Sequence, residues 1–141
     1  MNKLKMGRDI YAQYKSTVQN NESTTLEQAQ LKMTRNAQLA LVSPRPNTRG
    51  VVHSTHYKYG SLHFIVNKKD KIVWMRNYSG NPKGWKRDNK LYLKLNKDLG
   101  IEENTTHLDL IKRDIYYAVK RKYRNTLNIV KWKLKDAFQT V

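Results

Sequence analysis

Cysteine is absent from this sequence of 141 residues. Its absence excludes disulfide frameworks, thiol nucleophiles and zinc sites with cysteine ligands. Long apolar runs are also missing: no segment approaches the roughly 20 apolar residues that span a bilayer, and the first ten residues lack the apolar stretch of a signal peptide. We therefore expect a cytoplasmic protein that is not bound to a membrane.

Acidic residues are scarce in the middle of the chain. Between residues 28 and 99 the acids are Asp70, Asp88 and Asp98. Hydrolysis by paired carboxylates and metal-assisted phosphodiester cleavage both need two or more acids that converge in a cleft. A glycine-rich loop with the Walker spacing is missing as well. We therefore expect a protein that is not an enzyme and has no cofactor.

The four histidines are His53, His56, His63 and His107. Histidine can bind a metal ion or transfer protons without help from carboxylates. His53 and His56 lie three residues apart on a predicted strand, which directs them to opposite faces, so only His56 and His63 converge. Two ligands make an incomplete metal site, and we interpret these histidines as surface or phosphate contacts. A small histidine-dependent nuclease is the catalytic alternative.

Positive charge is what the sequence has in excess. Lys and Arg number 28 against 11 Asp and Glu, which gives a formal charge of +17 and an isoelectric point near 10.1. Self-repulsion of this size destabilises a compact state unless a polyanion neutralises it, and nucleic acid is the commonest such partner. The abundance of Lys, Asn, Ile and Tyr fits an AT-rich genome, and a phage or mobile element is a source of that kind.

Hydrophobic spacing predicts an α+β fold in a single domain over residues 1–141, with a helical subregion at residues 1–42. Apolar residues four apart predict a first helix over residues 3–18. A capping box of Thr24 and Glu27 begins a second helix, which the prolines that follow residue 43 end.

A period of two between residues 50 and 77 predicts a three-stranded antiparallel meander over residues 51–76, with turns at Tyr59-Gly60 and Lys69-Asp70. Two-residue turns at these positions pair Tyr57 with Leu62, His56 with His63, Val66 with Val73 and Phe64 with Met75. The predicted core face contains Leu62, Phe64, Val66, Val73 and Met75. The opposite face contains His56, Lys58, His63, Ile65, Ile72, Trp74 and Arg76.

The rest of the chain is predicted to contain a turn-rich loop, a short strand and a long basic helix. The loop spans residues 78–90, and three alternating leucines predict a strand over residues 91–95. Apolar spacing predicts the helix over residues 106–123. Residues 126–141 fit either a strand or a helix, and we favour a strand for this short C-terminal element.

Cations and aromatic residues alternate in three places, where they could neutralise phosphates and stack on bases. On the predicted sheet these residues are Lys58, Trp74 and Arg76. In the loop they are Lys83, Trp85, Lys86 and Arg87, and we expect Trp85 to be more exposed than Trp74. On the long helix they are Lys112, Arg113, Tyr116, Lys120, Arg121, Lys122 and Arg124. Each patch alone could be an ordinary solvated surface.

Taken together, these features predict a non-catalytic protein that binds DNA or RNA through a basic and aromatic surface. One alternative is a component of a ribonucleoprotein. Another is an inhibitor or adaptor protein that docks on a nucleic-acid-processing enzyme. Steep loss of affinity with salt separates direct nucleic-acid binding from protein docking. The sequence leaves the kind of nucleic acid and its strandedness open.

Overall fold

The computed structural model describes residues 1–18, 21–46 and 48–139, the last four of these through their backbone alone. The chain divides into two compact units, Met1–Asn104 and Thr105–Val141, and each is described by itself. The prediction of a single functional domain over residues 1–141 is not tested by this division.

The first unit contains five strands and three helices in its described residues. The strands are β1 (Lys5–Met6), β2 (Leu41–Pro46), β3 (Val52–Tyr59), β4 (Leu62–Asn67) and β5 (Lys71–Asn77). The helices are α1 (Arg8–Thr17), α2 (Leu26–Leu39) and α3 (Asn89–Leu99). The second unit contains one long helix, α4 (His107–Gln139).

The strands form one mixed sheet in the order β1-β5-β4-β3-β2. The β1 and β5 strands are parallel, and the other three pairs are antiparallel. The prediction of a three-stranded antiparallel sheet is therefore wrong, because the predicted meander corresponds to β3, β4 and β5 and a further strand lies on each side. The fold as a whole is mixed α+β, with the two predicted N-terminal helices and a long C-terminal helix.

The two missed strands lie at the edges of the sheet. β2 contains Pro44 and Pro46, which the sequence analysis interpreted as the end of a helix. An edge strand tolerates proline because one side of its backbone needs no ladder donor. β1 has only two residues, which is too short for a periodic signal, and it replaces the predicted first turn of the helix that begins at Arg8.

The core lies between the sheet and the N-terminal helices. Tyr14 of α1 and Met33 of α2 are fully buried against Phe64 and Ile72 of the sheet. The α2 helix begins one residue later than predicted, since the hydroxyl of Thr25 accepts the cap hydrogen bond from the backbone N–H of residue 28 at 3.2 Å. One face of the sheet is thereby covered by α1 and α2.

The turn between β3 and β4 is shifted by one residue from its predicted position, towards the C-terminus. Gly60 has φ +56°, a left-handed conformation that glycine adopts without strain, and Tyr59 pairs with Leu62 across the turn. The predicted pairs Tyr57 with Leu62 and His56 with His63 are therefore wrong. The observed partners are Tyr57 with Phe64, His56 with Ile65 and Lys58 with His63. The predicted pair of Phe64 with Met75 is confirmed.

A register shift in β5 exchanges two residues between the faces of the sheet. Val66 pairs with Ile72 and Ile65 pairs with Trp74, so Val73 is the extra residue of a bulge. Ile72 is 0% exposed and Val73 is 50% exposed. The prediction that Val73 faces the core and Ile72 faces away is wrong, because an uninterrupted period of two cannot contain the extra residue.

The C-terminal part of the chain is helical where strands were predicted. The three alternating leucines belong to α3, which Asp88 caps by accepting a hydrogen bond from the N–H of Leu91 at 3.1 Å. The buried residues of α3, Tyr92, Leu95 and Asn96, have helical spacing. The predicted strand after residue 126 is also wrong, because α4 continues through it to Gln139. Residues 140 and 141 lie outside the described residues.

Candidate functional site

The face of the sheet opposite the N-terminal helices has a different composition from the core face. Strand alternation places on it residues from four neighbouring strands, β2 to β5. We call this surface the outer face, and its residues are Leu41, Ser43, Arg45, Ser54, His56, Lys58, His63, Ile65, Asn67, Trp74 and Arg76. All of them are half-buried or exposed. The outer face thus presents polar, basic and aromatic side chains together.

The charge of the outer face has one sign. Arg45, Lys58 and Arg76 are its cations, and none of its residues is acidic. Asp70 is the one acid between residues 41 and 77, and it lies in the turn between β4 and β5 at φ +59°. A surface on which cations lack interspersed carboxylates attracts anionic ligands.

An open cavity of about 560 Å³ lies on the outer face, lined by Ser43, Arg45, His56, Ile65 and Trp74. The Nε2 atom of His56 is buried and has no hydrogen-bond partner within the described part of the chain. A buried polar atom without a partner is uncommon and costs free energy, so it calls for a ligand atom or a water molecule. The cavity is thus lined by an aromatic ring, a guanidinium and an imidazole.

Rings on the outer face contact one another in a chain. His56 meets Trp74 edge-on, with ring centroids 6.1 Å apart, and lies 5.4 Å from His63. His63 in turn lies 4.4 Å from Tyr78, which follows β5 directly. The guanidinium of Arg76 lies over the ring of Tyr78, 4.7 Å from its centroid. These contacts hold the rings in fixed orientations across three strands.

Burial and nearby cations affect both outer-face histidines in the same direction. Partial burial lowers the pKa of His56, and Lys58 and Arg45 lower it further. The pKa of His63 is lowered by burial, then by His56 and Lys58. Each imidazole therefore becomes protonated only at a lower pH than an ordinary histidine does, unless an anion binds nearby and offsets the positive charges.

The loop that follows β5 packs against the end of α2 and the turn between β3 and β4. The indole N–H of Trp85 donates to the main-chain oxygen of Leu39 at 3.1 Å, and its ring packs against Gly60 and Tyr59. Arg87 is half-buried and donates to Asn89 at 3.0 Å. Lys83 and Lys86 of the same loop are exposed. The predicted loop site is therefore separated from the outer face, and its tryptophan has a packing role.

The predicted helical site lies on α4, in the second unit. All its residues are exposed: Lys112, Arg113, Tyr116, Lys120, Arg121, Lys122 and Arg124. The ammonium of Lys120 lies 5.9 Å from the centroid of the Tyr116 ring, as expected for two residues four apart on a helix. These cations form a surface of their own.

Ser43 and Arg45 of the outer face, and Tyr78 beside it, were not predicted as site residues. Ser43 and Arg45 alternate with Val42 and Pro44, but the prolines masked this strand pattern. Once β2 is placed beside β3, Ser43 pairs with His56, which brings Arg45 to the edge of the cavity.

A buried polar network on the helical side of the first unit joins α2 to α3. Arg35 forms an ion pair with Glu103 at 3.2 Å and also donates to Asn96 at 2.8 Å. The same Glu103 oxygen accepts from the Tyr92 hydroxyl at 2.6 Å and from the Asn96 amide at 2.9 Å. The guanidinium lies 4.1 Å from the centroid of the Tyr92 ring. Since every group has a partner, this network stabilises the fold.

Two kinds of feature are absent from the described residues. No group of three or more His, Cys, Asp or Glu residues is arranged to hold a metal ion. No described helix is long and apolar enough to cross a membrane. The cytoplasmic location stays a prediction.

Comparison with known proteins places the first unit in a family. The family model described as YorE matches residues 4–98, which include β1 to β5 and most of α3. The chain belongs to the YorE family. One YorE relative is the SPbeta prophage-derived uncharacterized protein YorE of Bacillus subtilis (strain 168). It is 32% identical over 93 residues, which are 64% of this chain and 76% of the relative. No solved structure matches the chain.

The family match bears on the source of the protein and on its organisation. The named relative is derived from a prophage, which supports a phage origin for this YorE protein as well. The matched residues include the whole outer face and end before α4. The outer face thus belongs to the part shared with the YorE family, and α4 lies outside the matched region.

Proposed function

We propose that this phage-type protein is a non-catalytic nucleic-acid-binding protein and that the outer face is its main binding surface. The observation that supports the proposal most is the clustering of Arg45, Lys58 and Arg76 with Trp74 on a face without an acidic residue. A polyanion with flat bases fits both components of this surface.

In the proposed complex the three cations contact phosphates, and Trp74 contacts a base or sugar at the cavity. The imidazole of His56 lines the same cavity and so lies beside the group that enters it. Phosphate contacts position a ligand without reading its sequence, so we expect weak sequence preference. Three ring contacts and three cations lie on or beside this surface, which suits recognition by shape and charge.

The other two predicted patches have different places in this proposal. Trp85 and Arg87 make internal contacts, so they support the fold near the loop, while Lys83 and Lys86 add charge. The cations of α4 form a second basic surface, which we expect to strengthen binding without choosing the ligand. Its contribution is tested separately by replacing Lys120, Arg121 and Lys122 with Gln.

The experiment compares two triple variants that lose equal charge. The outer-face variant combines Arg45→Gln, Lys58→Gln and Arg76→Gln, and the control replaces the exposed α3 residues Lys90, Lys94 and Lys97 with Gln. Affinity is measured by fluorescence anisotropy with single- and double-stranded DNA and RNA at low salt. We expect the outer-face variant to bind roughly 10²-fold more weakly than the wild type, since three phosphate contacts are lost.

The control variant should bind within a few-fold of the wild type, and all three proteins should unfold at similar temperatures. Equal loss of affinity in both variants would mean that charge alone is responsible, and would contradict the assignment of the outer face. A wild-type protein without affinity for any of the four nucleic acids would refute the proposed function. Such a result would favour docking on a protein.

A further inference from the structure

The long helix α4 exposes an apolar stripe along its length. Eight large apolar side chains repeat every three or four residues, and each residue is 37% to 65% exposed. They are Leu108, Ile111, Ile115, Val119, Tyr123, Leu127, Val130 and Leu134. An exposed stripe of this size on one helix marks a surface that another element covers.

Part of the stripe follows an 11-residue repeat, whereas Ile111 is followed at that interval by Lys122 and Lys133. Leu108, Val119 and Val130 of the stripe are 11 apart. Basic residues also recur at intervals of 11, as Arg113, Arg124 and Lys135 in one series and Lys120 and Lys131 in a second, which directly follows Val119 and Val130 and so flanks the stripe. Eleven residues complete three turns at 3.67 residues per turn, so a stripe with this period stays in contact with a partner helix that coils around it.

We propose that the stripe is the contact surface of a homodimer in which α4 packs against α4 of a second copy. A second copy presents a stripe of equal length and equal period, and a two-fold axis closes the assembly at two chains. The eight exposed side chains offer on the order of 800 Å² per chain, which is the area that one partner contributes to a standard stable interface.

The charges of α4 favour an antiparallel pair. Its first part, residues 107–119, is balanced, with Lys112 and Arg113 against Asp109 and Asp114. The following part is strongly basic and contains Lys120, Arg121, Lys122, Arg124, Lys131, Lys133 and Lys135 without an acid between them. An antiparallel arrangement places each basic half beside a balanced half, whereas a parallel one places the two basic halves together.

The dimer is independent of the proposed nucleic-acid function, because α4 lies outside the YorE family match and the outer face lies within it. Arg113 and Arg124 lie away from the stripe, so pairing through the stripe leaves them accessible, whereas Lys120 and Lys131 flank it.

The test measures the mass of the full-length chain by light scattering after size-exclusion chromatography over a dilution series. The stripe variant is Val119→Glu with Val130→Glu. The control is Tyr117→Glu with Asn128→Glu, which has the same spacing and the same added charge on the opposite side of the helix. We expect twice the chain mass of 16.7 kDa for the wild type and the control, and the monomer mass for the stripe variant.

Circular dichroism shows whether α4 stays helical in each variant, and glutamate is a better helix former than the valine that it replaces. A wild-type protein that is monomeric throughout the dilution series would overturn the proposal and would leave the first unit of the same chain, an unrelated protein or a lipid surface as the cover of the stripe. A dimer that survives the stripe substitutions would overturn it as well.

Orientation is tested with single spin labels, since the chain has no native cysteine. In an antiparallel pair centred near residue 121, labels at Lys122→Cys lie within about 20 Å of each other, given the usual spacing of packed helices. Labels at His107→Cys lie about 40 Å apart, from the rise of 1.5 Å per residue. Short distances at both positions would show a parallel pair and overturn the assigned orientation.

Discussion

Replacement of Glu103 by glutamine tests how the buried polar network stabilises the first unit. One oxygen of Glu103 accepts from Arg35 at 3.2 Å, from the Tyr92 hydroxyl at 2.6 Å and from the Asn96 amide at 2.9 Å. The side chain of Arg35 is only 6% exposed, against 19% for Glu103. Glu103→Gln therefore leaves a buried guanidinium without its counter-charge, while nearly isosteric packing is kept.

The size of the effect follows from what remains around Arg35. Removal of one partner from a buried ion pair costs roughly 3–5 kcal/mol. The glutamine oxygen can still accept a hydrogen bond, and Arg35 keeps its bonds to Asn36 and Asn96. We therefore expect the free energy of unfolding to fall by about 2–3 kcal/mol, at or just below the lower limit of that range.

The assay is urea denaturation of the full-length protein, followed by near-ultraviolet circular dichroism. The matched control is Glu102→Gln, an exposed neighbour that loses the same charge, for which we expect a change within about 0.5 kcal/mol. Equal stabilities of the two variants would refute the reasoning, because the charge of Glu103 would then have no special role beside Arg35.

Three further predictions concern the bulge, the loop and the outer-face histidines. Ile72→Ala should lower the free energy of unfolding by about 2–4 kcal/mol and Val73→Ala by less than about 0.5, as urea denaturation will show; the reverse order would contradict the bulge. Trp85→Phe removes a hydrogen bond to the end of α2 and should lower stability by about 1 kcal/mol, with nucleic-acid affinity unchanged in anisotropy titrations. The pKa values of His56 and His63 are lowered in the folded state, so below about pH 6.5 the unfolded chain binds more protons than the folded one. The free energy of unfolding should therefore decrease as the pH is lowered through this range. A bound polyanion reverses the shift of these pKa values, so nucleic-acid affinity should rise as the pH falls over the same range. The variant that combines His56→Gln with His63→Gln should lose part of both trends.

The sequence predicted the elements whose patterns are long and regular. Four-residue apolar spacing predicted α1 and α2, and alternation predicted β3 to β5. It failed where a tertiary contact decides the structure. Pro44 and Pro46 are compatible with a strand only because β2 lies at the sheet edge, and the two residues of β1 form a strand only because β5 lies beside them.

Two local features limited the prediction of the candidate site. The bulge at Val73 is invisible to an alternation rule, although Trp74 and Arg76 keep their predicted face because the register resumes after it. Trp85 was predicted to be more exposed than Trp74 because its loop is rich in turn residues; both are half-buried, and the main-chain oxygen of Leu39 gives the indole N–H of Trp85 a partner. Such a partner arises from the packing of the loop against α2, which no local pattern encodes.

Salt dependence of nucleic-acid affinity is the measurement that tests the central proposal most directly. The slope of log affinity against log salt reports how many phosphates the protein neutralises, at about 0.9 per contact on duplex DNA and about 0.7 on single strands. The outer-face variant, which lacks the charges of Arg45, Lys58 and Arg76, should have a slope shallower than that of the wild type by about 2–3. The α3 control, with equal net charge, should keep the wild-type slope. If the two variants give the same slope, the outer face does not contact phosphates and the account of this site is wrong.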